Sequence, residues 1–507
     1  MPSVTINNFK GMTTNEGLWS QGYSSYNTCV DFWGLGDNIN YLSYPGVVQR
    51  AMSLSAMSYN APLSSMMSDF AYYPNQSQVY GCDSDTTGNI YYFKVATGEW
   101  TISAAAGANY RMRNVIPYNG ELFFTSATNT AGTGNGALSK IASTTLTHGW
   151  QTGLYTANPM PMKVFNGSLY VAHYRYVDKY DGTTYSSQKL ILPSDFTVRS
   201  IEIVGEYLYI CADNEFSSSL FIWDGISPTY NTASPIPSEK FAPQMVYSGG
   251  VLWLVANRGT GTSQGTIQTP IYVYESGNVS EIMRLPLSRE TSWGVGSPVQ
   301  KPVAYQDGIL IGSNENSTTN YENGVGGVWY LRKNTSTGNY EAGLFAHHLS
   351  NPTYMDVGAI FASGNTQTGT ITPAVYVSYK DTLNTAYYIK RLAPSGVSPN
   401  TDGTSIWQSL PIDAGSTAPK RWESIKLDIK NLSTGQTVAI AYRLDHATSF
   451  TVLKTFTASH PATDFQKLIP IRKSGKTISI QITLGASAST ESTRLYAFTL
   501  YYDNYAR

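Results

Sequence analysis

The most constraining feature of this chain is a strand-and-turn unit that recurs at near-regular intervals. Tyr118-Asn-Gly-Glu-Leu-Phe-Phe124 reads as a tight turn followed by an apolar strand, and Phe165-Asn-Gly-Ser-Leu-Tyr-Val171 repeats it. Val204-Gly-Glu-Tyr-Leu-Tyr-Ile210, Tyr247-Ser-Gly-Gly-Val-Leu-Trp-Leu254 and Tyr305-Gln-Asp-Gly-Ile-Leu-Ile311 are further copies. Asp356-Val-Gly-Ala-Ile-Phe361 is a weaker one, and Thr87-Gly-Asn-Ile-Tyr-Tyr92 stands ahead of the series. The turn glycines Gly120, Gly167, Gly205, Gly250, Gly308 and Gly358 are separated by 47, 38, 45, 58 and 50 residues. Four-stranded propeller blades recur at about 40–50 residues. One such sheet cannot bury both its faces, whereas a ring of them buries each against the next and leaves only short edges.

Later strands strengthen the pattern: Leu220-Phe-Ile-Trp-Asp-Gly225, Ile271-Tyr-Val-Tyr-Glu-Ser-Gly277 and Val328-Trp-Tyr-Leu331. Helical periodicity is scarce, while short runs rich in Val, Ile, Tyr, Phe and Trp are broken throughout by Asn-Gly, Asp-Gly and Ser-Gly turns. The expected fold class is therefore all-β, with a β-propeller of six or seven blades. Hairpins with Asn-Gly turns also build long sandwich arrays, which is the competing architecture. A turn-rich segment, Ala393-Pro-Ser-Gly-Val-Ser-Pro-Asn-Thr-Asp-Gly403, marks a boundary. Beyond it, Arg421–Ile429, Gln436–Arg443, Phe450–Leu453, Lys476–Leu484 and Arg494–Tyr501 read as strands of a compact C-terminal β-sandwich. The expected organisation is an N-terminal segment 1–60, belonging to the sandwich or closing the propeller, a propeller over 61–395 and a sandwich over 404–507. Segment 60–80, with Met66, Met67, Phe70, Tyr72 and Tyr73, is apolar without a blade signature; it docks a partner or closes the propeller.

Charge excludes some functions. Charged residues make up 13% of the 507, against about 25% in average domains. The balance of 33 basic to 34 acidic residues leaves a net charge of −1. Nucleic-acid binding through phosphate neutralisation needs clustered Lys and Arg, and the densest basic stretches, Ala418-Pro-Lys-Arg421 and Ile471-Arg-Lys473, are short. No secretory leader is visible in MPSVTINNFKGM and no run approaches the roughly 18 apolar residues of a membrane helix, so membrane insertion is not expected. Cys29, Cys82 and Cys211 are odd in number and far apart, which reads as buried thiols rather than a disulfide framework.

The search for chemistry nominates nothing. Gly261-Thr-Ser-Gln-Gly265 matches a nucleophile elbow in letters, but a β-like run follows where a helix is required. Gly324-Val-Gly-Gly327 is read as a turn, because no helix follows it to cradle phosphate. Adjacent His347 and His348 would point to opposite faces of a strand, and His148, His173, His446 and His460 have no ligand-like spacing. Asp83-Ser-Asp-Thr-Thr-Gly88 has alternating oxygens but lacks the later glutamate of a calcium loop, so a hairpin turn is expected there. The 38 tyrosines, many in strands (Tyr91, Tyr92, Tyr207, Tyr209, Tyr272, Tyr274), suit core packing at alternate positions and a stacking surface elsewhere. No enzyme is expected, and no catalytic residue, cofactor or metal is assigned.

Both ends of the chain carry a resemblance. Ile6-Asn-Asn-Phe-Lys-Gly11, a polar interval containing Asn27 and Asp31, and Asn40-Tyr-Leu-Ser-Tyr-Pro-Gly46 resemble the opening of tailed-phage tail and neck proteins. Ser43 and Tyr44 depart from the basic residues that often precede that Pro-Gly. Arg421-Trp-Glu-Ser-Ile425 and Arg494-Leu-Tyr-Ala-Phe-Thr-Leu-Tyr-Tyr502 resemble the terminal sandwich of tail nozzle, or packaged-DNA stabilisation, proteins of short-tailed phages. The resemblance implies a structural virion protein, assembled in the host cytoplasm and located in the tail. It implies a homo-oligomer, a hexameric ring beneath the portal and adaptor that lines and gates the DNA exit channel and meets genomic DNA passively. The alternative is a tail-tip protein that binds a receptor or host-surface glycan; it calls for a Tyr/Trp cluster with Asn and Asp donors on one propeller face. A polysaccharide-degrading enzyme would instead need two carboxylates about 5–10 Å apart in a central cleft.

Overall fold

The computed structural model describes residues 2–6, 12–13, 33–37, 39–40 and 48–50, and 55–504 except 60–61, 86, 95–98, 106–109, 129–135, 143–144, 156–158, 215, 238–241, 257–268, 286–299, 314–326, 334–337, 347–354, 363–374, 382–385, 393–404, 410, 417, 430–431, 446, 461–467 and 487–493. The motifs at 261–265, His347-His348, His446, Cys29, the 393–403 segment and most of the N-terminal resemblance lie outside the described residues.

Seven sheets follow one another along the chain, each built from consecutive antiparallel strands. The first comprises Met67–Tyr73, Gln78–Asp83, Asn89–Lys94 and Glu99–Ala105, with Ser58–Tyr59 added in parallel. The second comprises Tyr110–Tyr118, Glu121–Thr128, Gly136–Ala142 and Thr145–Leu154. Met162–Phe165, Ser168–His173, Tyr176–Tyr180 and Tyr185–Ile191 form the third. The fourth is Thr197–Val204, Tyr207–Asp213, Ser218–Trp223 and Thr232–Pro235, and the fifth is Gln244–Ser248, Val251–Val255, Thr269–Glu275 and Asn278–Leu285. The sixth sheet runs Val303–Tyr305, Gly308–Ser313, Gly327–Lys333, Tyr340–Ala346 and Met12–Thr13. The seventh joins Met355–Ala362, Val375–Asp381 and Ala386–Leu392 to Ser55–Ala56.

The first strand of each sheet touches the first strand of the next, and the seventh returns to the first. That cyclic order makes the seven sheets blades of a closed propeller with these strands innermost. Apolar clusters lie between consecutive blades; one places Phe70, Phe93 and Trp100 of blade 1 against Tyr376 and Ile389 of blade 7. The Trp100 and Tyr376 rings meet edge to face at 5.7 Å.

The recurrent glycines owe their place to backbone geometry. Asn119-Gly120 and Asn166-Gly167 are two-residue turns between the first and second strands, with φ of 48° and 76° and of 46° and 71°. Such turns match the right-handed strand twist but require left-handed φ, which Asn and Gly tolerate. The residue before the turn has a second task. The Tyr73 hydroxyl at the end of blade 1's inner strand donates to the Gly120 carbonyl of blade 2 at 2.7 Å, and Tyr118 donates to Gly167 of blade 3 at 2.8 Å. Two expected copies lie elsewhere in their blades. Gly358 sits inside the inner strand Met355–Ala362, where the register shifts, rather than in a turn. Gly88 turns between the second and third strands of blade 1. Segment 60–80 supplies blade 1's inner hairpin; its turn is the Pro74–Gln76 3-10 segment with Ser77 at φ 51°.

Ring closure joins segments distant in sequence. Ser55–Ala56 pairs with Lys390 and Arg391 on the outer edge of blade 7. Next along the chain, the Tyr59 hydroxyl donates to the Ile389 carbonyl at 2.7 Å and accepts from the Ile389 N–H at 2.6 Å. Burial pushes that hydroxyl up to about 12. Replacing Tyr59 by Phe leaves both Ile389 backbone groups without this partner and is expected to cost about 1–2 kcal/mol. Chemical denaturation of the two proteins side by side measures this, with an unchanged midpoint the contrary result.

The remaining strands form a sandwich. One sheet runs Ile469–Gly475, Lys420–Ile429, Arg494–Asn504, Val48–Arg50 and Ile39–Asn40, with Ser3–Ile6 also paired to Arg494–Asn504. The other runs Trp33–Asp37, Ser405–Ser409, Ile478–Ala486, Gln436–Leu444 and Thr451–Thr457. The Trp407 ring of one sheet meets Phe498 of the other at 5.6 Å, both nearly fully buried. Contacts divide the chain into two compact units. One is Met1–Leu54, Val328–Pro352 and Ser395–Arg507; the other is Ser55–Gly327 and Thr353–Pro394. These bounds differ from 60, 61, 395 and 404; of the strands before residue 54, Met12–Thr13 pairs in blade 6 and the others pair in the sandwich sheets.

Candidate functional site

Two constellations in the propeller stand out. The first bridges non-adjacent blades near the axis. Lys301 lies two residues before the inner strand of blade 6, and its Nζ is 2.8 Å from Asp69 Oδ2 on the inner strand of blade 1. The same ammonium donates to Asn114 Oδ1 on the inner strand of blade 2. Asn114 passes the link on: its Nδ2 donates to the carbonyls of Pro159 and, at 2.9 Å, of Met160, which leads into blade 3. Asp69 also accepts the Val115 N–H of blade 2 at 3.1 Å. Contact from blade 6 to blades 1 and 2 of a seven-bladed ring has to cross the axis. The Lys301 ammonium, held by a carboxylate and an amide oxygen, acts as a brace across the ring. Beside it, burial pushes the Cys82 thiol well up, and burial next to Arg111 lowers the Arg113 guanidinium to about 10.

The second constellation lies in blade 3, at the turn joining its second and third strands. The buried His173 Nε2 is 2.9 Å from Asp178 Oδ2. His173 Nδ1 accepts the Tyr155 N–H at 3.1 Å, so the proton sits on Nε2 and is donated to Asp178. Tyr185 donates its hydroxyl to the same carboxylate at 2.6 Å, and the Gln188 N–H adds a bond at 2.7 Å. Burial would raise the Asp178 carboxyl, but the His173, Tyr185 and Gln188 donors hold it below its ordinary value. Every polar atom of this network bonds inward, so it fixes the adjacent turn rather than presenting a reactive group. That turn carries Tyr174 and Arg175. The Tyr155 ring stacks on Tyr174 at 5.7 Å, and Arg175 lies 5.2 Å from the Tyr176 ring centre.

The Asp83–Gly88 oxygens form a turn. Asp83 Oδ1 accepts the N–H groups of Asp85 and Asn89, and Oδ2 accepts from Ser64 and Asn89 Nδ2. Burial outweighs these bonds and raises the Asp83 carboxyl to about 6. Cys82 and Cys211 are buried thiols. Among the described residues no group of three or more His, Cys, Asp and Glu is placed to hold a metal ion, and no helix is long and apolar enough to cross a membrane.

Sequence reading put Tyr118 at the head of a turn-and-strand unit and left Tyr73 in the apolar segment 60–80, and it found neither bond to the next blade. The aromatic preceding Asn-Gly at 118 was the available signal. Lys301, Asp69 and Asn114 carried none, being ordinary polar residues far apart in the chain.

No family model matches the chain, and no curated protein does. Among solved structures it is similar to a chain of the mitotic checkpoint complex, at 12% identity and a TM-score of 0.41, over 68% of this chain and 93% of that one. It is also similar to the WD40 domain of Toxoplasma gondii coronin, at 11% identity and a TM-score of 0.41, over 73% and 89%. The propeller assignment rests on the sheet order and cyclic contacts above.

Proposed function

We propose that this chain is a non-enzymatic structural subunit of a tailed-phage tail, a nozzle or tail-tube component that forms a homo-oligomeric ring around the DNA exit path. The observation that carries the reading is how the sandwich is assembled. Strands from before the propeller in sequence enter both sheets: Ser3–Ile6, Ile39–Asn40 and Val48–Arg50 in one, Trp33–Asp37 in the other. The propeller is thus an insertion in a platform rather than a module hung on a single tether. Closed rings are built from head-to-tail contacts between copies. The Lys301 brace supports a conduit formed between subunits rather than through one propeller, since its side chain crosses the propeller axis. The charge of −1 over 507 residues suits a surface along which DNA slides.

Mass photometry and negative-stain imaging of the purified chain, alone and mixed with a phage portal complex, test this. A hexameric ring, formed alone or on the portal, is the expected result. A monomer or trimer that ignores the portal overturns it.

A further inference from the structure

We propose that the Tyr174–Arg175 turn, with Tyr155 and the outward ring of Phe216, is a binding site for an acidic saccharide. The turn joins paired residues His173 and Tyr176, and Tyr174 occupies it at φ 55°. Elsewhere in this propeller the first position of two-residue turns is Asn119, Asn166, Gly205, Gly249, Ser276 or Gln306, none of them aromatic. A bulky ring there is strained, and such strain persists only where the surroundings over-determine it. They do so here. The Tyr174 ring stacks on Tyr155 with an interplanar angle of 24°, and Tyr155 stacks in turn on buried His173 at 15°. The Tyr174 hydroxyl donates to the Ser194 carbonyl at 3.2 Å. A turn alone would be served better by Asn, so what the tyrosine adds is a fixed, half-exposed ring.

The neighbouring turn in blade 4 displays a second ring. Phe216 is 85% exposed, the most exposed large apolar residue among those described. Its backbone is held in the turn: Asn214 Oδ1 accepts the Phe216 N–H at 2.9 Å and the Ser217 N–H at 2.7 Å. Asn214 Nδ2 donates to Asp195 at 3.0 Å, and Asp195 follows Ser194, so the two turns are tied through one dipeptide. Aromatic faces pack against the C–H faces of sugar rings, with nearby polar groups to orient the hydroxyls, and the stacked Tyr174 and Tyr155 rings are already ordered for it. Arg175 narrows the ligand class. Its guanidinium lies over Tyr176, and no carboxylate of a described residue pairs with it, so a sugar carboxylate is its natural partner.

This goes beyond the assembly reading, and the test keeps the two apart. The full chain is titrated calorimetrically with a panel of uronate- and sialate-containing oligosaccharides and neutral counterparts of equal length. At least one acidic oligosaccharide is expected to bind at least about tenfold more tightly than its neutral counterpart. Tyr174→Asn keeps a residue suited to the turn, so the melting temperature should hold while affinity falls at least about tenfold. Phe216→Ser, at an exposed site, should also weaken binding, and Arg175→Gln should erase the preference for acid over neutral sugar. Binding of no saccharide, equal binding of neutral ones, or affinities unchanged in Tyr174→Asn and Phe216→Ser each overturn the proposal. So does loss of ring or portal association in Tyr174→Asn, which would make the patch a protein interface.

Discussion

Gly249→Ala is expected to destabilise the propeller by about 3 kcal/mol, whereas Gly250→Ala one residue on should cost about 1 kcal/mol. Both glycines have left-handed backbone, with φ of 60° and 78°, in the turn between the first two strands of blade 5. The strain of a Cβ at positive φ is common to both. The surroundings are not. A Cβ on Gly250 meets nothing within 4 Å, while one on Gly249 overlaps the backbone carbonyl of Asp307 in the corresponding turn of blade 6. A side chain could rotate away, but a turn carbonyl moves only if its blade does. Close by, Ser248 Oγ donates to the Gly308 carbonyl at 2.5 Å, so displacing the blade 6 turn would also disturb that bond. Paired denaturant titrations of the two variants read the difference. Equal losses would show that the backbones do not approach as described.

Lys301→Met is expected to cost about 2–3 kcal/mol, the second largest effect. The Lys301 and Asp69 side chains are 24% and 20% exposed, so the pair is neither a rim salt bridge nor fully desolvated. Loss of the ammonium leaves Asn114 Oδ1 without this donor and leaves Asp69 with the Phe70 and Val115 N–H groups. Asp69→Asn alone should cost a similar amount. The double variant should cost less than the two singles together, because neither mutant side chain then strands a charge. A double-mutant cycle by urea denaturation gives the coupling, and simple additivity would mean that the brace does not form. If the brace also closes the axis, Lys301→Met should leave ring assembly unchanged while lowering the temperature at which the propeller melts.

The strands and turns were legible in the sequence wherever a local rule leaves a residue-level mark. Left-handed turns favour Asn or Gly, which is why blades 2 to 5 announced themselves at Gly120, Gly167, Gly205 and Gly250. Half-buried sandwich strands favour alternation, and Ile425–Ile429 shows it. Blade 1 lacked the mark because its turn uses Pro74–Gln76 and Ser77 in place of Asn-Gly. Gly358 misled for the opposite reason: a glycine at a strand irregularity resembles a turn glycine in sequence.

The candidate site was legible only as texture. An excess of tyrosine on a weakly charged chain pointed to stacking surfaces, but Tyr174-Arg175 is not a turn signal. It becomes a turn because His173 and Tyr176 are held in register by the blade around them. The sequence by itself determined the all-β class, the blade period and the sandwich strands, since each follows from interactions within a few residues. Only the tertiary structure decided that there are seven blades, that Ser55–Ala56 completes the last, and that Lys301 reaches Asp69 across 232 residues of chain. Those contacts join segments whose local sequences carry no trace of one another, and they become favourable only when the ring closes and brings them together.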